Sequence, residues 1–343
     1  MFSLKNLKYL ILFAFLFQSI IFAQAGVSKT GTTAAKFLSI GVGPRANAMG
    51  GAYSAVADDA SSMYWNPAGI AQIDRFQGIF TYTKMFADIN LNYFGVVIPT
   101  GESGNIGLNV TALNIGDMEV TTEEMPEGTG EKFSSGSYAF GLTYARFITD
   151  NFIVGANVKY IRENIYNSSA EGVAVDIGTV FTTPFYGIKF ASSITNFGTK
   201  MQITGDDLLV RYDQDQTTNG NNETVDARLN TDDFELPLRL QIGISKDIMF
   251  AEGQRFTFAV DANYPNDNNQ WVNVGGEFAL FNNLVFLRGG YKTLFLEDSQ
   301  EGLTFGVGLK YDQSNLLGIQ VDYAYQQLEY LDNTHSFGLT LSF

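Results

Sequence analysis

Apolar and polar residues alternate along most of the chain after residue 75. In the last segment, Phe337, Leu339, Leu341 and Phe343 are separated by small or polar residues. A period of two is typical of a β-strand with one apolar face. Similar segments predict about fourteen strands, near 76–86, 91–99, 104–113, 135–148, 151–166, 171–183, 186–198, 236–247, 255–264, 271–280, 284–294, 302–312, 316–326 and 334–343.

The length of these segments distinguishes two fold classes. Strands of soluble sheets usually have about five or six residues, whereas a tilted strand that crosses a bilayer needs about 9–11. Most of the predicted strands have ten or more residues. The sequence therefore predicts an all-β protein, a transmembrane antiparallel β-barrel, and not a soluble sandwich.

The connections between predicted strands alternate in length, as in a barrel with an even number of strands and both ends in the periplasm. Only the first outer connection, 87–90, is shorter than this pattern requires. We therefore expect an outer-membrane protein with periplasmic N- and C-termini. Short connections are predicted at 101–103, 149–150, 183–185, 246–254, 281–283 and 312–315, and longer ones at 114–133, 164–170, 199–235, 265–270, 295–301 and 327–333.

Charged residues of the predicted strands fall on the polar face. A Lys or Arg that faces lipid at the bilayer midplane costs about 2–4 kcal/mol, so we expect these residues to line the lumen and to balance one another. They are Lys159, Asp176, Arg239, Asp261, Glu277, Arg288, Lys292, Lys310 and Asp322.

The whole chain of 343 residues is acidic, with 36 Asp and Glu against 21 Lys and Arg. Much of the excess lies in the predicted loops 114–133 and 199–235. A nucleic-acid partner requires a basic surface, so this composition argues against one.

The first residues predict a secretory signal peptide over residues 1–25. Lys5 and Lys8 precede an apolar run, and Ala23-Gln24-Ala25 has the small-x-small pattern of a cleavage site. A retained membrane anchor is the alternative, although the run is short for a bilayer. The chain has no Cys, so it has neither disulfides nor a lipid-modified N-terminal Cys.

Residues 26–75 differ from the rest because they are rich in Gly, Ala and Ser. A barrel of about fourteen strands is too wide to be filled by its own side chains, so this segment is predicted to fold back as a plug that precedes a barrel over 76–343. Asp58 or Asp59 can cap a short helix over 60–64, and residues 66–69 have the preferences of a type I turn. Arg45 is expected to pair with Asp58 and Asp59 in the lumen.

The run GVGPRANAMGGAYSAVADDASSMYWNPAGIA closely resembles the N-terminal signature of PorV/PorQ-type proteins, a branch of the FadL-like outer-membrane barrels. Its Asn-Pro-Ala element is similar to that of the FadL hatch. The motif resemblance covers about residues 37–73, and the rest matches in strand number, loop alternation and terminal Phe. The candidate plug-motif residues are Arg45, Met49, Gly50, Gly51, Asp58, Asp59, Trp65, Asn66, Pro67 and Gly69.

The resemblance implies a binding and shuttle role in type IX secretion. The implied protein partners are the secretion translocon, cargo C-terminal β-domains and a cell-surface attachment complex, in addition to outer-membrane lipid and lipopolysaccharide. The alternative is a FadL-like transporter of hydrophobic small molecules, which needs an apolar lumenal pocket and a broken strand, with Gly104 and Gly107 as the candidate kink.

The sequence carries little enzymatic chemistry. It has one His, His335, and its parity matches Phe337, so we expect the ring to face the lipid interface. No catalytic residue, cofactor site or metal site is predicted. Asp213-Gln214-Asp215 begins like a calcium loop but lacks the later ligands, which leaves only loose Ca²⁺ binding by acidic loops open. Apolar residues in outer loops predict a protein-binding site or local packing; they are Leu208, Leu209, Val210, Leu294, Phe295, Leu296, Leu328, Tyr330 and Leu331.

Overall fold

Fourteen antiparallel strands close into one barrel. The computed structural model describes residues 30–213, 217, 225–313 and 317–343, so the predicted signal peptide lies outside the described residues. Each barrel strand pairs with the next, and the last pairs with the first through Ser342 opposite Gln77. The strands are β1 (Gln77–Lys84), β2 (Asn90–Pro99), β3 (Asn105–Glu119), β4 (Lys132–Thr149), β5 (Phe152–Ile165), β6 (Ser168–Thr182), β7 (Lys189–Gly198), β8 (Arg239–Ala251), β9 (Gln254–Pro265), β10 (Trp271–Leu280), β11 (Val285–Leu294), β12 (Glu301–Gln313), β13 (Leu317–Leu328) and β14 (Thr334–Ser342).

The period-two pattern determines which face of each strand points outward. In β12, Leu303, Phe305, Val307 and Leu309 are exposed, whereas Thr304, between Leu303 and Phe305, is fully buried. Exposed apolar side chains therefore cover the outside, and polar or small side chains face the interior. The predicted barrel and its strand number are confirmed.

Strand pairing extends beyond the apolar segments at two connections. β3 and β4 continue as a hairpin to Glu119 and Lys132, so the connection is shorter than the predicted loop 114–133. β5 and β6 are joined through Tyr166 and Asn167 alone, where 164–170 was predicted. Hydrophobic alternation stops where the lipid stops, but backbone hydrogen bonding does not, which explains both differences.

The long connection between β7 and β8 has structure of its own. A hairpin pairs Leu209–Tyr212 with Val225–Arg228, and Met201–Gln202 pairs with Asp233–Phe234. Thr204–Gly205 pairs with the first two residues of β6, and Asp206–Leu208 forms a 3₁₀ turn. These segments are too short to show a period in the sequence. Residues 214–216 and 218–224 lie outside the described residues, and the calcium-loop resemblance falls partly on them.

The third strand is continuous where a kink was considered. Asn105–Ile115 pairs without a break with β4, and Asn105–Asn114 pairs without a break with β2. Gly107 lies within this ladder, and Gly104 precedes it in the turn around the 3₁₀ helix Gly101–Ser103. A marked irregularity lies instead between β6 and β7, where Asn196 has a φ of 64°.

We call residues 30–75, the described part of the N-terminal segment, the plug, because most of its residues from Ala35 to Ile73 are buried inside the barrel. It contains a 3₁₀ helix (Lys36–Ser39), α1 (Pro44–Ala48), α2 (Ser62–Trp65) and a second 3₁₀ helix (Pro67–Gln72). Helix α1 packs against β11–β14, and Pro67–Gln72 packs against β3–β6. Within the described residues, no helix is both long and apolar enough to cross a bilayer.

Candidate functional site

The centre of the plug is a compact aromatic core. Trp65 packs edge-on against Tyr53 and Tyr64, with ring centroids 6.2 and 5.2 Å apart. Its indole N–H donates to the Val42 carbonyl at 2.9 Å, and the Tyr64 hydroxyl donates to backbone carbonyls of the first plug turn. Burial raises the pKa of Tyr64 to about 12 and also raises that of Tyr53. These contacts join the beginning and the end of the plug.

Arg45 lies at the short-turn end of the barrel and connects the plug to the wall. Its guanidinium contacts Asp58 at 2.5 Å, Asp59 at 3.4 Å and Glu277 of β10 at 2.9 Å. Burial disfavours the charged form, but the neighbouring carboxylates, led by Asp58 and Glu277, outweigh that cost and hold the Arg45 pKa well above its ordinary value. The predicted pairing with both Asp residues is present, and the link to Glu277 was not predicted.

Glu277 extends this ion-pair network through the wall. Its carboxylate is fully buried and also contacts Arg255 at 2.9 Å and Arg288 at 2.8 Å. Arg288 in turn pairs with Asp322 at 2.6 Å. Because isolated buried charges are costly, a chain of alternating charges is the arrangement that lets them lie in the lumen. Glu277, Arg288 and Asp322 are all buried on the polar face of their strands.

Asn66 and Pro67 fix the other side of the plug. The Asn66 amide donates to the Ser54 carbonyl at 3.0 Å and to the Thr179 carbonyl of β6 at 3.1 Å, and its oxygen accepts from Ala68 N–H. Asn66 therefore caps the 3₁₀ helix Pro67–Gln72, where a simple turn was predicted.

The helix predicted over 60–64 begins two residues later and ends one residue later. It spans Ser62–Trp65, and the Asp59 carboxylate accepts from the Ser61 N–H at 2.9 Å just before the helix.

Wall glycines let the plug backbone approach the barrel closely. A Cβ on Gly155 would lie 2.5 Å from the Ala68 nitrogen, and one on Gly178 would lie 2.8 Å from Pro67 Cδ. Gly275 and Gly290 oppose each other across β10 and β11, and the Met49–Gly50 backbone rests on the bare patch they leave. These glycines were not predicted, although their position on the polar face of each strand was a usable signal.

The remaining plug-motif residues lie in the same contact. Met49 is fully buried, and Gly50 and Gly51 have φ values of 65° and 72°, which favour glycine. Gly69 turns beneath the Ala57 carbonyl, where a side chain would not fit.

A second buried charge cluster lies in the wall between β5 and β7. Lys159 contacts Asp176 at 2.9 Å and the Asn196 side chain at 2.5 Å. Asp176 also accepts from the Asn196 N–H at 2.7 Å and from the Asn157 amide at 2.9 Å. The Asp176 carboxylate thus accepts the backbone hydrogen bond at the β7 irregularity, and Lys159 balances its charge. Both residues therefore stabilise the wall locally.

Asp261 holds the middle of the plug. Its carboxylate accepts from the backbone N–H groups of Tyr53 and Ser54, at 2.9 and 2.8 Å, and from the Gln241 amide at 2.8 Å. Arg239 lies over the Trp65 ring at 5.7 Å. Both Asp261 and Arg239 therefore contact plug residues from the lumenal face of the wall.

The first described plug residues reach the long-loop end of the barrel. Lys36 contacts Asp267 at 2.6 Å, Thr33 donates to the same carboxylate at 2.8 Å, and the Ala35 N–H donates to Glu163 at 2.9 Å. Phe343, in contrast, bonds to Phe76 at the short-turn end. Residues 33–36 and Phe343 thus lie at opposite ends of the barrel.

Lys292 and Lys310 lie at opposite ends of the lumen. Lys292 contacts Glu301 at 3.3 Å and Gln326 at 2.9 Å near the long loops. Lys310 lines a cavity of about 240 Å³ at the short-turn end, and the other lining residues are Arg45, Asp58, Asp59, Gln77, Arg255, Asn283, Phe286, Gln320 and Thr340. This cavity is polar and charged, unlike a pocket for a hydrophobic ligand.

No group of three or more Asp, Glu or His in the described residues is arranged to hold a metal ion. The His335 ring packs beside Tyr325, with its Nδ1 2.8 Å from the Tyr323 hydroxyl. Taken as a whole, the candidate site is a filled lumen, in which ion pairs and backbone contacts join the plug to the wall.

The sequence matches a family model described as type IX secretion system protein PorV over residues 23–264. The chain belongs to the PorV family. The match includes the plug and the strands from β1 to β9, and this family together with the barrel fold makes the protein an outer-membrane β-barrel. A comparison with curated proteins finds no significant match.

Solved structures with the same fold are FadL-like barrels. The toluene transporter TodX of Pseudomonas putida is 14% identical, with a TM-score of 0.56 and coverage of 88% of this chain and 97% of that chain. The toluene transporter TbuX of Ralstonia pickettii is 12% identical, with a TM-score of 0.55 and the same coverage. A FadL homologue of Pseudomonas aeruginosa is 12% identical, with a TM-score of 0.52 and coverage of 88% and 98%. At these identities the likeness shows the fold alone.

Proposed function

We propose that this PorV-family protein is a non-enzymatic binding and shuttle partner in type IX secretion, and that it acts through its surface while its lumen stays closed. The observation that supports this most is the filled lumen: Met49, Tyr53, Met63 and Ile70 of the plug are all fully buried. A conduit for folded or extended protein would need this segment to leave.

The wall supports the same proposal. A sideways exit for a hydrophobic molecule requires a broken strand, yet from Asn105 to Asn114 β3 pairs without a break with both neighbours. At the irregularity around Asn196, the Asp176 carboxylate accepts from the Asn196 N–H and pairs with Lys159, so charged side chains lie there. The cavity at the short-turn end is charged. These features favour a binding partner over a transporter.

Apolar side chains at the long-loop end are the proposed docking site for secreted proteins. Phe295 is 85% exposed and Tyr330 is 78% exposed, and Leu331, Leu209 and Val210 are also exposed. Large exposed apolar side chains in loops are typical of protein-binding surfaces. We place this end outside the cell and the short-turn end in the periplasm, following the asymmetry of outer-membrane barrels.

A deletion strain tests this proposal. We expect it to lose display of cargo that carries a C-terminal β-domain, and the wild-type gene to restore display. A Phe295→Ser, Tyr330→Ser variant should restore it poorly, while Met125→Ser, at another exposed loop position, should restore it fully. Pull-down from detergent-solubilised outer membrane should recover a protein partner with the wild type and less with the double variant.

Normal display in the deletion strain, combined with lost uptake of a hydrophobic compound, would contradict the proposal. That result would favour the alternative, a FadL-like transporter.

A further inference from the structure

Two basic residues adjoin on the lipid-facing side of the barrel at the long-loop end, and we call them the basic pair. Lys84 is the last residue of β1, and it lies directly opposite His335 of β14. Residues opposite each other in antiparallel strands have Cβ atoms about 4.5–5.5 Å apart. Lys84 shares strand parity with Phe80, and His335 shares it with Phe337; both aromatic rings are exposed on the outside.

The basic pair lies at the upper edge of the apolar surface. After His335 the outward positions of β14 are Phe337, Leu339 and Leu341, and Phe343 follows directly after the strand; all four are exposed and apolar. Eight residues of strand tilted as in outer-membrane barrels span about 20 Å of the roughly 25 Å apolar band. The pair is therefore at the depth of the lipid headgroups, in the leaflet on the long-loop side.

Neither basic residue is neutralised within the described residues. No carboxylate of this part of the chain lies within 4.0 Å of the Lys84 ammonium or the His335 ring. Arg162 provides the contrast, because it also faces outward near the long-loop end but contacts Glu171 at 3.4 Å. The chain thus balances one outward cation internally and leaves the basic pair without an acidic partner.

The surroundings of His335 also orient its ring as a hydrogen-bond donor. Its Nδ1 lies 2.8 Å from the Tyr323 hydroxyl. When Tyr323 donates to that nitrogen, the ring proton is on Nε2, which is the nitrogen left for an external acceptor. The Tyr325 ring packs against the imidazole, with centroids 5.7 Å apart, and holds its orientation.

We propose that the basic pair binds a phosphate group of lipid A in the outer leaflet. A phosphate at headgroup depth offers several acceptor oxygens and the negative charge that the protein does not supply there, and such charge-assisted hydrogen bonds are stronger than neutral ones. The Tyr side chains beside the pair provide amphipathic contacts for the sugar, as aromatic residues do at membrane interfaces. This inference rests on the outward orientation of the long-loop end proposed above.

The test uses the full-length protein in nanodiscs of uncharged phosphatidylcholine, with fluorescent lipid A as the probe. We expect Lys84→Gln combined with His335→Gln to weaken binding about tenfold or more, the loss typical of charge-assisted hydrogen bonds. Lys84→Arg should retain binding. Arg162→Gln is the matched control and should leave binding unchanged, because Arg162 is already paired with Glu171. Heat-modified gel mobility verifies that each variant is folded.

Four results would overturn the inference. Equal binding by the wild type and the double variant would remove the site, and an equal loss in Arg162→Gln would show a general charge effect. Equal binding of dephosphorylated lipid A would exclude the phosphate. Competition by inorganic phosphate at the same concentration as lipid A would assign the pair to free phosphate and contradict the lipid assignment. Cargo display does not enter this assay, so its outcome is separate from that of the proposed function.

Discussion

A methyl group at residue 290 is expected to displace the plug from the wall. Gly290 lies on the lumenal face of β11, and a Cβ there would press on the Met49–Gly50 backbone, with Gly50 Cα only 2.8 Å away. Gly289, the next residue in the same strand, faces outward, and its Cβ would meet nothing closer than the Thr304 carbonyl at 3.8 Å. Gly290→Ala and Gly289→Ala therefore introduce the same atom on opposite faces.

The size of the effect follows from overpacking. Because the clash is with backbone, it cannot be relieved by rotating a side chain, and overpacking of this kind typically costs about 1–3 kcal/mol. That shifts the ratio of seated to displaced plug by roughly 5- to 150-fold. Gly289→Ala should have no such cost, since Ala is tolerated at least as well as Gly in a strand.

Planar-bilayer recordings and thermal unfolding measure this difference. We expect more frequent open-channel events and a lower melting temperature for Gly290→Ala than for Gly289→Ala. Indistinguishable behaviour of the two variants would refute the reasoning that wall glycines seat the plug.

Other perturbations test separate contacts of the plug. Arg45→Met should lower stability by about 3–5 kcal/mol because it leaves buried carboxylates without their partner, whereas Arg75→Met, which breaks an exposed pair, should cost about 1 kcal/mol or less; chemical denaturation compares them, and equal losses would contradict the network. Asn66→Ala with Pro67→Ala should raise bilayer conductance, and unchanged conductance would count against a plug. Burial raises the Tyr64 pKa to about 12, so the contribution of the neutral phenol to folding stability is complete below pH 10 and is lost as the pH rises to 12. Tyr64→Phe should remove this step from a profile of folding stability against pH. Persistence of the step in the variant would assign it to another group.

The barrel was predictable because its physical signal is periodic. Lipid outside and a polar lumen inside impose a period of two on every long strand, as in β12 and β14, so strand number and facing could be inferred from residue type. The same reasoning predicts that charged residues of the strands face the lumen, because a charge such as that of Arg288 would be destabilising if it faced lipid.

What the sequence could not supply was the matching of distant segments. The contact between Glu277 and Arg45 joins residues far apart in the chain, and no local pattern encodes it. The same holds for Gly290 and Gly50. Each leaves room for the backbone of the other, and this fit can be recognised only when both residues are placed in the fold. The hairpin at Leu209–Tyr212 was missed because four residues carry too short a pattern.

A covalent lock on the plug tests the central claim, that the protein works with its lumen closed, most directly. A Cβ on Gly306 would lie 2.5 Å from the Ala48 Cβ, so Ala48→Cys with Gly306→Cys needs a shift of about 1 Å to form a disulfide, and the chain has no other Cys to interfere. Cargo display should be the same with the disulfide formed and with it reduced. Display that is lost under oxidation and restored by a reducing agent would show that the plug must move, and would contradict the account.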